Sequence, residues 1–359
     1  MRLPALRNVS ALQPEMLSDA TARAVEDLMR EGESANTLAS YRSALRYWAA
    51  WFNVRYGQPI SLPLPPSAVI QFIVDHAQRT TADGLAHELP PAIDEVLVEA
   101  GFKGKRGPMA LNTLVHRVAV LSKTHQLKAA KNPCQDPKVR ELLMKTRRAY
   151  GKRGDLPKKK DALTKDPLMA MIETCDTSTL KGLRDRALLL FAFASGGRRR
   201  SEVAGADMKN LRRNGPSSFT FILAHSKTNQ DAKDRPENYK PIEGLAGDAL
   251  QAWLTAACIT DGAIFRRVMK GGKLAGALSP ASVRDIVKER ASLAGLSDDY
   301  SAHSLRSGFV TEAASQNVPL ADTMAMTGHR NVATVMGYFR SSGLSQAANL
   351  LDSKKVGPS

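Results

Sequence analysis

Four side chains near the end of the sequence have the types and the spacing to act together on an anion. His303 and Arg306 lie three residues apart, so on one helix they project from the same face and can bind the same anionic group. His329 directly follows Gly328, a residue type that commonly ends a helix. Tyr338 comes nine residues after His329. If its hydroxyl is not held in a core, that hydroxyl is available for chemistry.

Two local helices are predicted to position these side chains. Ser301 is a suitable N-cap for the helix that carries His303 and Arg306. Asn331 can cap a short last helix whose apolar stripe leaves Tyr338 on another face. That stripe consists of Val332, Val335, Met336 and Phe339. Taken singly, each polar residue has an ordinary explanation as a surface tyrosine or a hydrogen-bonded histidine, and it is their combination that indicates a functional site.

The order of these residues resembles a known signature. H-x-x-R, then G-H, then a tyrosine nine residues later is similar to the C-terminal signature of the tyrosine recombinases, the phage integrase family with its Cre-like and Xer-like members. Upstream, GGRRRSEV resembles the family's G-x-R-x-S-E segment. In this match, Arg199 takes the position of the first family arginine, and Glu202 takes that of the acidic residue that orients it. Because Arg198 and Arg200 flank Arg199, a register shifted by one residue is the alternative.

A further likeness completes the set. In SKT, residues 226–228, Lys227 matches the lysine that the family carries on a hairpin. The resemblance is firm from Asp166 to Arg340. Before Asp166 it is weaker and concerns mainly the organisation of the chain into domains. It implies six catalytic side chains: Arg199, Lys227, His303, Arg306, His329 and Tyr338.

These residue types suit attack on a phosphodiester, whose nonbridging oxygens repel a nucleophile and gain charge during in-line displacement. Arg199 and Arg306 can each donate paired hydrogen bonds to those oxygens while staying ionised. Tyr338 can then attack phosphorus and form a phosphotyrosine, which conserves the bond energy without ATP. A tyrosine pKa is ordinarily about 10, so a base or a positive field is needed. His303 is a suitable proton acceptor.

The resemblance assigns the remaining roles. It implies that the linkage forms to a 3′-phosphate, that Lys227 protonates the leaving 5′-hydroxyl, and that His329 hydrogen-bonds a nonbridging oxygen. The sequence shows no Asp and Glu cluster of the kind that two-metal nucleases use, and no G-x-x-x-x-G-K-[ST] loop for a nucleotide. We therefore expect no metal ion and no other cofactor.

The composition indicates a nucleic-acid partner. Lys and Arg number 51 against 35 Asp and Glu, which gives a formal charge of +16 and a pI near 9.9. Such a charge favours a polyanion, although a ribosome-associated or simply basic protein would share it. The three cysteines are far apart, which argues against a disulfide framework or a zinc site. No segment approaches the roughly 20 apolar residues that cross a bilayer, so we expect a cytoplasmic, bacterial nucleoid-associated protein.

A chain of 359 residues suggests two domains, each with its own core. The predicted fold class is mainly α with a small antiparallel β-sheet, and the resemblance implies a two-domain C-shaped clamp on DNA. The predicted sections are an N-terminal extension (1–32), a helical core DNA-binding domain (33–150), a basic interdomain linker (151–162), a catalytic domain (163–340) and a tail helix (341–359).

Amphipathic spacing predicts four main helices in the first domain, which begin at the caps Asn36, Ser67, Asn112 and Asp136. Basic side chains on these helices, and the extended basic segment 147–160, are expected to contact DNA phosphates. A solvated linker without DNA contact is the alternative for that segment. The expected contacts are Arg42, Arg46, Arg117, Lys123, Arg147, Arg148, Lys152, Arg153, Lys158, Lys159 and Lys160.

In the second domain, a hairpin is predicted to carry the lysine. Phe219, Phe221 and Leu223 fall at alternate positions and predict one strand, and residues 237–242 predict its antiparallel partner. The turn-like sequence between the two strands contains Lys227. The lysine is therefore expected at the end of the hairpin.

Together these observations predict a site-specific recombinase that exchanges strands between two core sites in double-stranded DNA, as in integration or resolution. A type IB topoisomerase would rejoin the original strand, and a regulator of the same fold would bind DNA without cutting it. Because residues 1–32 are too short for a further domain, we expect inverted-repeat core sites as the target. The resemblance implies a homotetramer on DNA, joined through the tail 341–359, from a monomer or weak dimer. Accessory DNA-bending or directionality proteins can take part.

Overall fold

The computed structural model describes residues 34–155, 161–223, 235–297 and 300–337, together with the isolated positions 23, 24, 27 and 32. The chain divides into two compact units, Met1–Pro157 and Lys158–Ser359. Both units are mainly helical with small antiparallel sheets, which confirms the predicted fold class. The tail 341–359 and five of the predicted site residues lie outside the described residues: Lys158, Lys159, Lys160, Lys227 and Tyr338.

In its described part, the first unit has an aromatic core between its helices. Trp48 stacks on Phe72 with 3.6 Å between ring centroids, and Trp51 meets the same ring edge-on. A short antiparallel hairpin, which the sequence pattern did not predict, lies between the second and third helices. The elements are α1 (Ala35–Tyr56), α2 (Pro66–His76), β1 (Arg79–Thr81), β2 (Gly84–Ala86), α3 (Pro91–Glu99), α4 (Leu111–Leu127) and α5 (Pro137–Lys152).

Three of the four predicted helix caps are wrong. Ser34, two residues before Asn36, caps α1 by accepting a hydrogen bond from a backbone N–H of the first turn. Ser67 and Asn112 lie inside α2 and α4, which begin after an extended proline and an alanine without a side-chain cap. A proline within the first turn already has no N–H to satisfy, so α2 has less need of a capping side chain.

The fourth cap is confirmed, and it starts a helix that runs further than expected. The Asp136 carboxylate accepts a hydrogen bond from the backbone N–H of Lys138 and caps α5. Because α5 continues to Lys152, the first part of the segment 147–160 is helical and not extended. Its basic side chains there are held on a regular helical surface.

The second unit is built around a helix that is buried along most of its length. This helix, α7, packs against α9 and α11, and Leu188, Leu189 and Phe191 are fully buried on it. Residues 332–337 are also helical. The elements are α6 (Lys165–Glu173), α7 (Leu180–Ala194), α8 (Arg200–Ala204), β3 (Leu211–Arg213), β4 (Phe219–Ile222), β5 (Tyr239–Ile242), α9 (Gly244–Ala256), β6 (Arg266–Val268), β7 (Leu274–Ala277), α10 (Pro280–Leu293), α11 (Ser304–Ser315) and α12 (Leu320–Thr327).

The predicted antiparallel pair is confirmed within a three-stranded sheet of order β3-β4-β5. Its register sets Phe221 opposite Lys240. A 3₁₀ turn, Pro236–Asn238, shortens the second strand from the predicted 237–242. The edge strand β3 and the hairpin β6–β7 were not predicted, because strands of three or four residues carry too little alternation to recognise.

The helix that carries Arg306 begins later than predicted. Ser301 is not its N-cap, since α11 begins at Ser304 with His303 in the N-cap position. Ser301 instead accepts a hydrogen bond from the backbone N–H of His303 at 3.3 Å. Asn331 does cap the short helix at residues 332–337, because its Oδ1 accepts from the backbone N–H of Ala333 at 2.8 Å.

The apolar stripe predicted for residues 332–337 is only partly correct. Val335 is fully buried, but Val332 is 50% exposed and Met336 is 40% exposed. Phe339, the fourth predicted member, lies outside the described residues. In the described part, one side chain rather than a continuous stripe anchors this helix to the unit.

Candidate active site

Three consecutive arginines follow α7 and enter three different environments. The chain leaves α7 through the glycine pair at 196–197, and Arg199 occupies the N-cap position of α8. Arg198 is 1% exposed, whereas Arg200 lies at the surface. The side chain of Arg199 is intermediate, with 29% of its surface exposed. Of the three, Arg199 therefore has both a backbone position fixed at the start of a helix and a side chain that a ligand can reach.

Glu202 holds Arg199 in place by two hydrogen bonds. One carboxylate oxygen accepts from Nη1 of Arg199 at 2.7 Å, and the other accepts from the backbone N–H of Arg199 at 3.0 Å. Burial by itself would raise the pKa of Glu202, but the charges of Arg198 and Arg199, together with the hydrogen bonds from Arg199, outweigh burial and lower it. The carboxylate therefore stays ionised and can orient Arg199, as the sequence predicted for it.

Arg198 and a lysine that the sequence analysis missed hold the end of α12. Nη2 of Arg198 donates to the carbonyl of Met326 at 2.6 Å. Lys240, which is 1% exposed, donates to the carbonyl of Ala325 at 2.6 Å and also to that of Glu237. Burial lowers the pKa of Arg198 to about 10, so it remains a cation. Burial, and next the charge of Arg198, lower the pKa of Lys240 to about 7.

Arg306 is buried beside the glycine turn. Its Nη1 donates to the carbonyl of Gly197 at 3.4 Å, and the residue is 4% exposed. Gly197 has a φ of 66°, and a Cβ there would lie 2.3 Å from the Cα of Arg306. Only glycine permits this close approach of α11 to the turn. The same turn thus sets the positions of Arg199 and Arg306.

The charges of Arg199 and Arg306 lower the pKa values of both predicted histidines. Partial burial of the ring, followed by the charges of Arg306 and Arg199, lowers the pKa of His303. Burial and the same two arginines lower the pKa of His329 to about 4. Both histidines are therefore neutral at pH 7 in the protein without a bound anion. A neutral imidazole can accept a proton.

The structure thus brings together four of the six predicted catalytic residues, and the other two, Lys227 and Tyr338, lie outside the described residues. Lys240 was missed because a lysine in a strand usually faces solvent, although it lies on the same face of β5 as the buried Ile242. The tertiary structure adds a stronger signal, which is a buried basic side chain near a buried arginine. Thr327 was also missed, and its Oγ1 lies 2.7 Å from Nδ1 of His329.

The predicted DNA-contacting residues divide into two groups. Arg117 lies over the ring of Tyr47, 3.5 Å from its centroid, and donates to the sulfur of Met109. Arg153 donates to Asp155 and to the carbonyl of Gln78. The geometry of these two therefore favours a role within the first unit. The others that are described are exposed: Arg42, Arg46, Lys123, Arg147, Arg148 and Lys152.

No group of three or more His, Cys, Asp or Glu residues that could hold a metal ion occurs in the ranges that the structure describes. Within those same ranges, no helix combines the length and the apolar character needed to cross a membrane. The cysteines Cys134, Cys175 and Cys258 are free thiols.

Comparisons with known proteins agree with the motif. The model of the phage integrase family matches residues 161–343, just over half of the chain. The chain is 28% identical over 344 residues to an integrase/recombinase XerD homolog of Selenomonas ruminantium, covering 94% of this chain and 90% of that protein. It is 30% identical over 161 residues to tyrosine recombinase XerC of Halalkalibacterium halodurans, covering 44% of this chain and 50% of that protein.

A solved structure shares the fold. The integrase of the Tn1549 transposon, in complex with transposon right end DNA, covers 92% of this chain and 98% of its own with a TM-score of 0.54 at 11% identity. This likeness concerns the fold, and the family model covers the unit that holds the candidate site. The chain therefore belongs to the phage integrase family, the tyrosine recombinases.

Proposed function

We propose that the protein is a site-specific recombinase that cuts and rejoins duplex DNA through a 3′-phosphotyrosine at Tyr338. The observation that carries the proposal is the close contact of Arg306 with the turn at Gly197, two residues before Arg199. The charges of both arginines lower the pKa values of His303 and His329. Two guanidinium groups and two imidazoles around one position suit a phosphoryl group whose charge grows during attack.

The chain around the candidate site supports roles for the two residues outside the described ranges. Leu223, just after β4, and Arg235, just before the 3₁₀ turn that leads into β5, both line a cavity of about 380 Å³ together with His329. The described residues on either side of the segment that contains Lys227 thus line the same cavity as that histidine, which supports Lys227 as the general acid. Tyr338 directly follows the helical residues 332–337.

The proposed reaction balances without a metal ion or ATP. The Tyr338 oxygen attacks phosphorus, and its proton passes to His303, which the lowered pKa keeps neutral and able to accept it. The bond from phosphorus to the 5′-oxygen breaks, and Lys227 gives that oxygen a proton. Arg199 and Arg306 hold the nonbridging oxygens. Attack by the 5′-hydroxyl of another strand reverses these steps and completes strand exchange.

The proposed partner is double-stranded DNA with inverted-repeat core sites, bound by a homotetramer. The exposed basic side chains of the first unit and the formal charge of +16 support DNA as the partner. The relative named XerC is a tyrosine recombinase, and the Tn1549 integrase was solved with DNA. The tail 341–359 is proposed to join neighbouring protomers.

The test starts from a library of duplex DNA with a randomised segment. Incubation with the full-length protein, followed by denaturation and protease treatment, isolates strands that carry a covalent peptide at a 3′-phosphate. Sequencing these strands gives the cleavage site, and two copies of that site then serve in a recombination assay. We expect covalent DNA at a defined sequence and junctions between the two copies.

The same assay separates the rival functions. Relaxation of supercoiled plasmid without junctions between two sites would identify a type IB topoisomerase. Sequence-selective binding without covalent DNA would identify a regulator. Either result would overturn the proposed recombinase activity.

A further inference from the structure

The last turn of α12 contacts the imidazole of His329. Thr327 ends this helix and is 1% exposed. Its Oγ1 lies 2.8 Å from the carbonyl oxygen of Thr323, one helical turn earlier, and 2.7 Å from Nδ1 of His329. A weaker contact of 3.3 Å joins the hydroxyl to the carbonyl of Met324. All three neighbours compete for the single hydroxyl hydrogen.

Only one arrangement makes both short contacts hydrogen bonds. If the hydroxyl donates to the carbonyl of Thr323, its lone pair accepts from Nδ1–H of His329. If it donates to an unprotonated Nδ1 instead, its oxygen and the carbonyl oxygen face each other at 2.8 Å without a hydrogen between them. The first arrangement also suits the imidazolium, in which both ring nitrogens are donors. It therefore serves both protonation states without rotation of the hydroxyl.

We propose that Thr327 is a positioning residue that fixes His329 as the Nδ1–H tautomer and leaves Nε2 of the neutral ring as an acceptor. This tautomer cannot donate from Nε2 to a phosphate oxygen. His329 must first take up a proton, and the resulting imidazolium then donates from Nε2. Only the identity of the anion as a DNA phosphate rests on the proposed function.

The charges around His329 determine when this proton is taken up. Without an anion, burial and the neighbouring cations hold the ring neutral at pH 7. A bound anion opposes those charges and stabilises the imidazolium. Anion binding is therefore coupled to proton uptake, and it weakens as the pH rises through the pKa of the complex. The charged and titratable groups that face His329 or line its cavity are Arg198, Arg199, Arg235, Glu237, Lys240, His303, Arg306 and Arg330.

The tautomer can be measured directly in the full-length protein. Histidine labelled with ¹⁵N gives signals from seven residues, and loss of one signal set in His329→Gln assigns His329. At pH 7 we expect a protonated Nδ1 and an unprotonated Nε2. The opposite assignment would overturn the proposal, and this measurement needs no substituted Thr327.

Three variants test whether Thr327 is the cause. Thr327→Val keeps the shape but removes the hydroxyl, so we expect a mixture with the Nε2–H tautomer. Thr327→Ser keeps the hydroxyl and should restore the wild-type spectrum. Thr323→Val is the matched control, since its Oγ1 is buried without a hydrogen-bond partner among the described residues and its carbonyl is retained. An unchanged tautomer in Thr327→Val would reject the role of the hydroxyl.

A second measurement tests proton uptake with sulfate as the anion, because sulfate keeps its charge between pH 4 and pH 8. Sulfate should raise the pKa of His329 by roughly one pH unit or more, as an opposite charge at contact distance does. An unmoved pKa, with sulfate binding shown by perturbed arginine side-chain signals, would refute the coupling. Neither result depends on covalent DNA, so a failure of the recombinase proposal and a failure of this one are distinguishable.

Discussion

At the scale of single residues, the division of work among the three arginines follows from burial. Arg198 is enclosed, and its Nη2 donates to a backbone carbonyl of α12, so its guanidinium holds the end of that helix. Arg200 is exposed, and no hydrogen bond or ion pair orients it in the described structure. Arg199 alone is both accessible and fixed, through Glu202. The geometry supports the register that the S-E pair indicated.

Replacing Arg199 by lysine should strongly reduce DNA cleavage, because an ammonium cannot reproduce the paired hydrogen bonds of a guanidinium. We expect a loss of about 100-fold or more in the rate of covalent complex formation, the scale seen when one oxyanion donor is removed. Arg200→Lys is the matched control and should cleave at a rate close to that of the wild type. A larger defect in Arg200→Lys than in Arg199→Lys would shift the register by one residue.

Tyr338→Phe should bind the selected DNA site normally and form no covalent complex, since only the attacking oxygen is lost. Gel shifts measure the binding, and denaturing gels of labelled DNA measure the covalent product. Tyr300→Phe serves as a control, because this tyrosine lies outside the motif and is expected to keep full cleavage. Covalent DNA formed by Tyr338→Phe would identify another residue as the nucleophile.

At the scale of elements, two buried basic side chains hold the end of α12. The carbonyls of Ala325 and Met326 accept from Lys240 and Arg198. The last carbonyls of a helix lack partners within the helix and carry partial negative charge, so cations there are favourable. These contacts precede His329 by only a few residues and fix the direction in which the chain leaves α12.

Lys240→Met should reveal the cost of burying that ammonium. The pKa of Lys240 is about 7 in the folded protein and near 10.5 when unfolded, so between these values the unfolded chain binds more protons. The free energy of unfolding of the wild type should therefore rise with pH, relative to Lys240→Met, by up to about 1.4 kcal/mol per pH unit.

Urea unfolding at several pH values from 7 to 9 measures this difference. Lys209→Met, at an exposed position, is the control and should run parallel to the wild type. If the difference in the free energy of unfolding between the wild type and Lys240→Met stayed constant across this range, the pKa of Lys240 would not be lowered in the folded protein.

At the scale of the whole molecule, the positive charge determines how strongly the DNA affinity depends on salt. Each phosphate that a basic side chain neutralises releases counterions, so the logarithm of the affinity should fall linearly with the logarithm of the salt concentration. Replacing both Arg147 and Arg148, exposed on α5, by Gln should reduce the slope by about 0.9 for each phosphate that is no longer neutralised. Lys128→Gln, exposed at the end of α4, should leave the slope unchanged. An identical slope in all three proteins would exclude DNA binding by this part of α5.

Deleting residues 342–359 tests the assembly predicted from the sequence. Leu344, Ala347 and Leu351 fall on one side of a short predicted helix, and such a helix is marginal unless packed. We expect normal binding to a single half-site, weaker cooperative filling of paired sites, and reduced recombination. Unchanged cooperativity and full recombination by the shortened protein would remove the tail from the assembly.

Features that depend on local pattern could be predicted from the sequence. Long amphipathic segments predicted most of the larger helices, and the antiparallel pair at 219–223 and 237–242 was recognised from alternation. Helix beginnings were less well predicted, as at Asn36 and Ser301, because several neighbouring polar residues can cap and tertiary packing chooses among them. The motif spacing indicated Arg199, His303, Arg306 and His329, since catalytic chemistry restricts residue type.

The folded chain was needed to establish which charges are buried and what they contact. Sequence could not show that Arg198 and Lys240, 42 positions apart in the chain, hold the same helix end. It could not show that the guanidinium of Arg117 packs over the ring of Tyr47. Nor could it indicate that Thr327 meets Nδ1 of His329. Burial, pKa and tautomer depend on distances between residues remote in sequence, and those distances exist only after the chain has folded.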